Sequence, residues 1–158
     1  KISNIKLPLK RFEFKGNFEG RTIVDDYAHH PKAIKETIKL GRLFLNEHPK
    51  YKRLIAIFQP HRFSRVSEFF IEFANELAQA DKIIITNIYG AGEKNINNIS
   101  SSLISTEIFK LNKNVKIVKD SNEIRKYFNH LTRENDLIIN MGAGDCHDLW
   151  QILTNQKN

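Results

Sequence analysis

Hydrophobic and polar positions change their spacing several times along this chain, and each change predicts an element. Arg11-Phe12-Glu13-Phe14-Lys15-Gly16 alternates polar and apolar side chains. After a predicted turn region from Gly16 to Gly20, Arg21-Thr22-Ile23-Val24 reads as its antiparallel partner. From Pro31 the spacing becomes helical, with Ile34, Ile38, Phe44 and Leu45 marking an apolar face to about Glu47. Leu54-Ile55-Ala56-Ile57-Phe58 is continuously apolar, as a strand covered on both faces must be, and it stops at Gln59-Pro60.

A second helix is predicted from about Ser64 to Gln79 on Val66, Phe69, Phe70, Phe73 and Leu77. Strand Ile83-Ile84-Ile85 follows, then a connection from Asn87 to Asn98 that is longer than packing requires. Helical spacing returns over about Ser101 to Leu111, before a strand Val115 to Val118. Asp120 with Glu123 three residues on is a capping-box pattern opening a helix to about Leu131. Strand Leu137-Ile138-Ile139 runs into Met141-Gly142-Ala143-Gly144-Asp145, and a last helix carries Leu149, Ile152 and Leu153. Strands and helices alternate after the opening hairpin. The expected fold is therefore α/β, a Rossmann-like, mostly parallel sheet flanked by helices with an N-terminal antiparallel β-hairpin.

Composition narrows this picture. With 158 residues, 41% hydrophobic, and 11 Phe, the chain is long enough for one domain with a real core and too short to expect two. The only cysteine is Cys146, so no internal disulfide can form and a reducing, cytoplasmic setting is expected. No apolar stretch approaches the roughly 20 residues of a membrane-spanning helix, and membrane insertion is not expected. A formal net charge of +7 points to anionic partners. Its Lys residues are scattered and not gathered into a stripe, which argues against nucleic acid as that partner.

In open parallel sheets, ligands sit beyond the carboxyl ends of the strands. Every polar cluster of note falls at such an end: Asp25 to His30, Gln59 to Arg65, Tyr89 to Glu93, and Gly142 to Asp145. The first packs Asp25, Asp26, Tyr27, His29 and His30 into six residues, where a strand gives way to a helix begun by Pro31. Arg62 and Arg65, three residues apart at a predicted helix start, offer two guanidinium forks to a carboxylate or phosphate. The bland alternative is a solvated first turn with Arg65 pairing Glu68. Gly142-Ala143-Gly144 allows backbone amides near an anion or is a plain tight turn. His29, His30, His61, Asp145 and His147 have donor types that suit a divalent metal, yet no common zinc spacing is present, and no metal ligand is assigned. There is no Walker A motif.

Lys10-Arg11-Phe12-Glu13, Asp25-Asp26-Tyr27-Ala28-His29-His30-Pro31, Phe58-Gln59-Pro60-His61-Arg62-Phe63-Ser64-Arg65, and Tyr89-Gly90-Ala91-Gly92-Glu93 with Gly142-Ala143-Gly144-Asp145 occur in that order. Together they resemble the carboxy-terminal domain of the Mur ligases. The doubled His and the Gln-Pro-His-Arg segment resemble the member of that family that adds L-alanine to UDP-N-acetylmuramate. The resemblance implies a three-domain enzyme: a first domain for the UDP-sugar, a central one holding the P-loop and Mg2+, and a last one closing over both. Residues 1–158 are then expected to be that last domain only, a piece of a longer protein, as the start at Lys1 also leads one to expect.

The implied chemistry is an ATP-dependent acid:amino-acid ligation through an acyl phosphate. The implied roles are ATP contact for Arg11, Asp26 (at the ribose), Tyr27 and His30, and reception of alanine by His61, Arg62 and Arg65, with Gly142 and Asp145 lining the same pocket. For His29 we expect a position at the alanine amine, where it either only orients the amine or also removes its proton as a general base. Competing expectations are a related ligase joining a peptide to the same sugar nucleotide, a metal-dependent phosphohydrolase built on the His/Asp cluster, and an anion-binding module that reads nucleic acid.

Overall fold

The computed structural model describes residues 11–155, so Lys10 of the first motif lies outside it. Six strands form one sheet in the order β1-β2-β6-β3-β4-β5. They are β1 (Glu13–Phe18), β2 (Arg21–Asp26), β3 (Arg53–Phe58), β4 (Lys82–Ile85), β5 (Val115–Ile117) and β6 (Asp136–Met141). Only the β1/β2 pair is antiparallel. The helices are α1 (Pro31–Glu47), α2 (Phe63–Leu77), α3 (Ser102–Leu111), α4 (Ser121–Lys126), α5 (Phe128–Leu131) and α6 (Leu149–Thr154), the last preceded by a 3-10 turn over Asp145–Asp148.

Side-chain alternation along the strands divides the core in two. Val24, Ala56, Phe58, Ile83, Ile85 and Ile139 face α1, α2 and α3, whereas Ile23, Ile55, Ile57, Ile84 and Ile138 face α4, α5 and α6. β2 and β6 are buried at every position; the apolar run Leu137-Ile138-Ile139 of β6 suits a strand covered on both faces, whereas β2 buries Arg21, Thr22, Asp25 and Asp26 beside Ile23 and Val24. The chain reaches β6 last and inserts it between β2 and β3, so the carboxyl ends of these three parallel strands meet at a topological switch. Gly142 N donates to Asp26 O, and Gln59 N donates to Met141 O, tying three strand ends together.

Two expectations are corrected. Gly16 is not a turn residue. It sits inside β1 at a register shift, with φ +149°, and a Cβ there would come within 2.7 Å of the Trp150 ring. The hairpin turns instead at Glu19 and Gly20, both at positive φ (47° and 81°), which matches the twist of the strands they join. The single helix expected to run to Leu131 is broken at Tyr127 into α4 and α5. Its cap holds: Asp120 accepts from Glu123 N at 3.0 Å, while the Glu123 carboxylate reaches the amide of Lys119, one residue before the cap. The restart lays Phe128 against Phe18 and presents Asn129 and Thr132 to the Arg21 guanidinium.

Candidate active site

The four polar clusters meet at the carboxyl edge of the sheet as a row of rings. His147 stacks on Tyr27 (centroids 6.2 Å, planes 14° apart), and Tyr27 meets His29 edge-on at 5.0 Å. His29 lies 5.7 Å from His61, and His61 stacks on Tyr89 at 5.6 Å. The row crosses β2, β3, β6 and the β4–α3 connection, so no single segment of sequence contains it.

Each ring is set by its backbone or by a neighbour. His29 Nδ1 stands 2.8 Å from Tyr27 O. A carbonyl only accepts, so Nδ1 carries the proton and the Nε2 lone pair is left free. His61 Nδ1 is 3.1 Å from Arg65 Nη1 and must accept from the guanidinium, which puts its own proton on Nε2. Burial, then Arg65, His29 and Arg62, hold the His61 pKa below its usual value against the opposing pull of Glu93, so the ring is neutral at pH 7. His61 also forms a parallel bridge with Tyr89, where Arg62 N donates to Tyr89 O and Tyr89 N to Pro60 O.

That bridge holds Arg62 at φ 71°, a sparsely populated conformation costing about 1–3 kcal/mol that turns the residue outward at the start of α2. Arg62 is exposed and Arg65 half-buried. Among the described residues neither has a carboxylate within ion-pair distance, so the expected alternative pairing of Arg65 with Glu68 is not formed.

The amino end of α2 is not vacant. The Glu93 carboxylate accepts from Ser64 N at 3.0 Å and Ser64 Oγ at 2.5 Å, a cap delivered from a loop 29 residues away. An arriving anion therefore meets the two guanidinium groups and not the helix amides. The Ser64 hydroxyl and amide hold the Glu93 carboxyl below the ordinary carboxylate range. A depressed folded-state pKa means that the tie is complete above the unfolded pKa and is lost as pH falls through the lower, folded one. The Ser64 amide proton is accordingly expected to titrate below about pH 4, the usual carboxylate range. Glu93→Gln should abolish that titration in an NMR pH series, and a midpoint at or above the ordinary value would refute the tie.

The other assigned residues divide into exposed groups and struts. Arg11 and Tyr27 are exposed at the corner, Tyr27 by 42%. His30 occupies the N-cap of α1 before Pro31, with no side-chain cap bond, and its ring lies 5.0 Å from Phe69 on α2, outside the row. Asp26 is 1% exposed, and its two oxygens accept from Phe12 N (2.9 Å) and Ala28 N (2.8 Å). Gly142, at φ +155°, has room for no Cβ, which would sit 2.6 Å from Cys146 Sγ. Asp145 is exposed and accepts from Gln59 Nε2 at 2.6 Å, while Gln59 Oε1 accepts from Cys146 N.

Sequence reasoning gave no individual role to Gln59, Tyr89, Glu93, Asp25 or Asn140. The first four stand inside motifs that were marked; Asn140, which donates to Asp25 Oδ1 at 3.1 Å, carries no signal at all. Among the described residues no group of three or more His, Cys, Asp or Glu side chains is gathered closely enough to hold a metal ion. A cavity of about 580 Å³ adjoins the row across Glu93, lined by Phe63, Ser64, Glu68 and Ile96 among others.

A switch-point sheet with paired guanidiniums and oriented imidazoles at its carboxyl edge marks the chain as an α/β domain of open, mostly parallel type. Residues 10–144 match the family model described as Mur ligase, glutamate ligase domain, and the chain belongs to that family. It is 58% identical over 98% of its length to a UDP-N-acetylmuramate--L-alanine ligase of Prochlorococcus marinus subsp. pastoris, covering 34% of that protein. It is 43% identical over 94% of its length to the enzyme of the same name from Caldanaerobacter subterraneus subsp. tengcongensis, covering 31% of it. The chain thus spans about a third of the length of the curated relatives it matches. Among solved structures, UDP-N-acetylmuramate-alanine ligase of Thermotoga maritima superimposes with TM-score 0.69 at 25% identity, over 91% of this chain and 29% of that one. A murein peptide ligase from Psychrobacter arcticus shares the fold with TM-score 0.71 at 19% identity, over 95% of this chain and 31% of that one.

Proposed function

We propose that this chain is the amino-acid-receiving, carboxy-terminal domain of a cytoplasmic ATP-dependent ligase that joins L-alanine to UDP-N-acetylmuramate in peptidoglycan synthesis. The observation that carries it is the Arg62/Arg65 pair, without carboxylate partners among the described residues, beside two imidazoles of fixed tautomer at an exposed edge. The likeness to relatives of that name over nearly the whole chain supports it. In this reading the remaining two-thirds of the enzyme, its UDP-sugar and central ATPase domains, lie outside the chain, and closure against them completes the site.

The substrate carboxylate takes the γ-phosphoryl group of ATP, and the alanine amine then attacks the acyl carbon. A C–N bond forms, the C–O bond to phosphate breaks, and phosphate leaves. Arg62 and Arg65 hold the alanine carboxylate. His29 Nε2, with its lone pair free, takes the ammonium proton so that the amine becomes nucleophilic. His61, kept neutral, steadies Arg65 without adding a competing charge.

Arg11, held at the corner through the Phe12 amide, reaches toward the ATP phosphates, where its charge opposes what develops in phosphoryl transfer. Tyr27 and His30 wall the nucleotide side. Asp26 contributes by fixing that corner; its oxygens have lone pairs to spare for a ribose hydroxyl, but at 1% exposure the corner would have to open for contact. Mg2+ supplies charge neutralisation at the phosphates. The described residues form no ligand cluster that fits it, so its ligands are assigned to the central domain.

The full-length protein is expected to release phosphate only when ATP, UDP-N-acetylmuramate and L-alanine are all present, and the 158-residue chain alone to release none. Turnover with a peptide in place of alanine would favour the peptide-joining ligase, and phosphate release by the isolated chain would overturn the divided site. His29→Gln keeps a polar side chain that takes no proton. In the full-length enzyme it should lower kcat by about 100-fold or more and remove the acidic limb of the pH profile, and an unchanged profile would remove the base role.

A further inference from the structure

His147 takes no part in the reaction just described, yet it is one of the most constrained side chains at the site. It stands on the 3-10 turn after β6. Its Nε2 is 2.7 Å from Gly142 O, so this nitrogen holds a proton and donates it to the carbonyl. Its Nδ1 is buried, has no hydrogen-bond partner, and lies 3.7 Å from Asp25 Oδ2. Asp25 is itself fixed: only 3% exposed, its Oδ1 accepts from Asn140 Nδ2, which also donates to Cys146 O. The imidazole is therefore tied to the turn carbonyl by one hydrogen bond, with its other nitrogen facing a carboxylate on β2 without bonding it, and its flat face lies along the ring of Tyr27, 14° from parallel.

Tyr27 needs such a support. It is exposed, and its neighbours Asp26 and Ala28 are buried by their own contacts, which fix the backbone but not the ring. We infer that His147 is a positioning residue: a plate, tied through Nε2 to the Gly142 carbonyl and set beside Asp25, that holds the Tyr27 ring in the orientation used to wall the nucleotide. The inference rests on the ligase reading for its consequence on ATP, but the support of Tyr27 by His147 is independent of it. A pinned ring removes rotamer freedom that ATP would otherwise have to remove on binding. Ring pairs of this kind are worth about 0.5–1.5 kcal/mol beyond area, or roughly 2- to 13-fold in affinity.

The test uses His147→Ala, which removes the plate, and His147→Phe, which keeps a ring without the polar tie. In NMR spectra of the chain, His147→Ala should move the ring-proton shifts of Tyr27, and His147→Phe should restore them in part. In the full-length enzyme, His147→Ala should raise the KM for ATP about 3- to 10-fold, in line with that ring-pair energy, leave the KM for alanine within about twofold, and recover in part as His147→Phe. Unmoved Tyr27 resonances would overturn the support itself. Moved resonances with an unchanged KM for ATP, or equal rises for ATP and alanine, would overturn the positioning role. A wild-type enzyme with no alanine-dependent phosphate release would refute the ligase reading while leaving the NMR result to decide the support.

Discussion

Arg65→Met in the full-length ligase is expected to raise the KM for L-alanine by roughly 30- to 1000-fold, the equivalent of about 2–4 kcal/mol. Arg65 is half-buried on the first turn of α2, and its Nη1 donates to His61 Nδ1. The Ser64 amide at the start of α2 is already committed to Glu93, so Arg62 is left as the one guanidinium to hold the alanine carboxylate. Methionine keeps much of the side-chain volume and packing, which separates loss of charge from loss of fold. Lysine should recover only part of the loss, because a single ammonium cannot reproduce a planar, two-point grip. A second readout is internal to the protein. Burial first and Arg65 second depress the His61 pKa, so without Arg65 the imidazole must titrate at higher pH. An NMR titration in which His61 did not move upward would show that the guanidinium does not face this ring in solution. Steady-state kinetics with an unchanged KM for alanine would remove Arg65 from the binding site.

Asp26→Ala should be the most damaging single change to stability at this edge, by about 2–4 kcal/mol. The carboxylate is 1% exposed and accepts two backbone amides, from Phe12 and Ala28, that no other group is placed to satisfy. Its removal leaves the buried Ala28 amide and the half-buried Phe12 amide without their partner and frees the strand entry that carries Arg11. Urea denaturation of the chain should show a lowered midpoint with a nearly unchanged slope, since the surface exposed on unfolding is the same. Asp26→Asn, which keeps one acceptor oxygen, should lose less. If Asp26→Ala unfolded at the wild-type midpoint, the strut would be refuted. The freed carboxylate position would then be available to a ligand hydroxyl, as the family resemblance implies.

Both predictions turn on residues that the sequence had marked, and they show where its reach stopped. Asp26 was legible as a site residue because it stands at a strand end in a dense polar motif, yet its bond to Phe12 spans 14 residues and depends on the β1/β2 register. The turn region expected from Gly16 to Gly20 contained the turn at Glu19–Gly20 but began too early, since Gly16 lies inside β1 at a register shift. Local spacing could not distinguish a glycine that turns the chain from one that yields space to Trp150 on a distant helix. Glu93 was visible as part of a motif, but its position on the amides of α2 was not, because the loop that brings it there has no periodic pattern.

By itself the sequence determined the alternation of strand and helix, the buried parallel strands and the gathering of polar clusters at one sheet edge. Those follow from hydrophobic period and from the switch in chain direction, which are local properties. It also marked the paired guanidiniums, because their spacing on one helical turn is local too. Only the tertiary structure decided which titratable groups remain free for a ligand and which are spent as supports. Asp25 meets Asn140 across 115 residues, Asp145 meets Gln59 across 86, and Glu93 meets Ser64 across 29. A hydrogen bond falls off within a fraction of an ångström, so the assignment of partners waits on sheet order and loop path. The placement of β6 between β2 and β3 is what brings His147 beneath Tyr27 and completes the row.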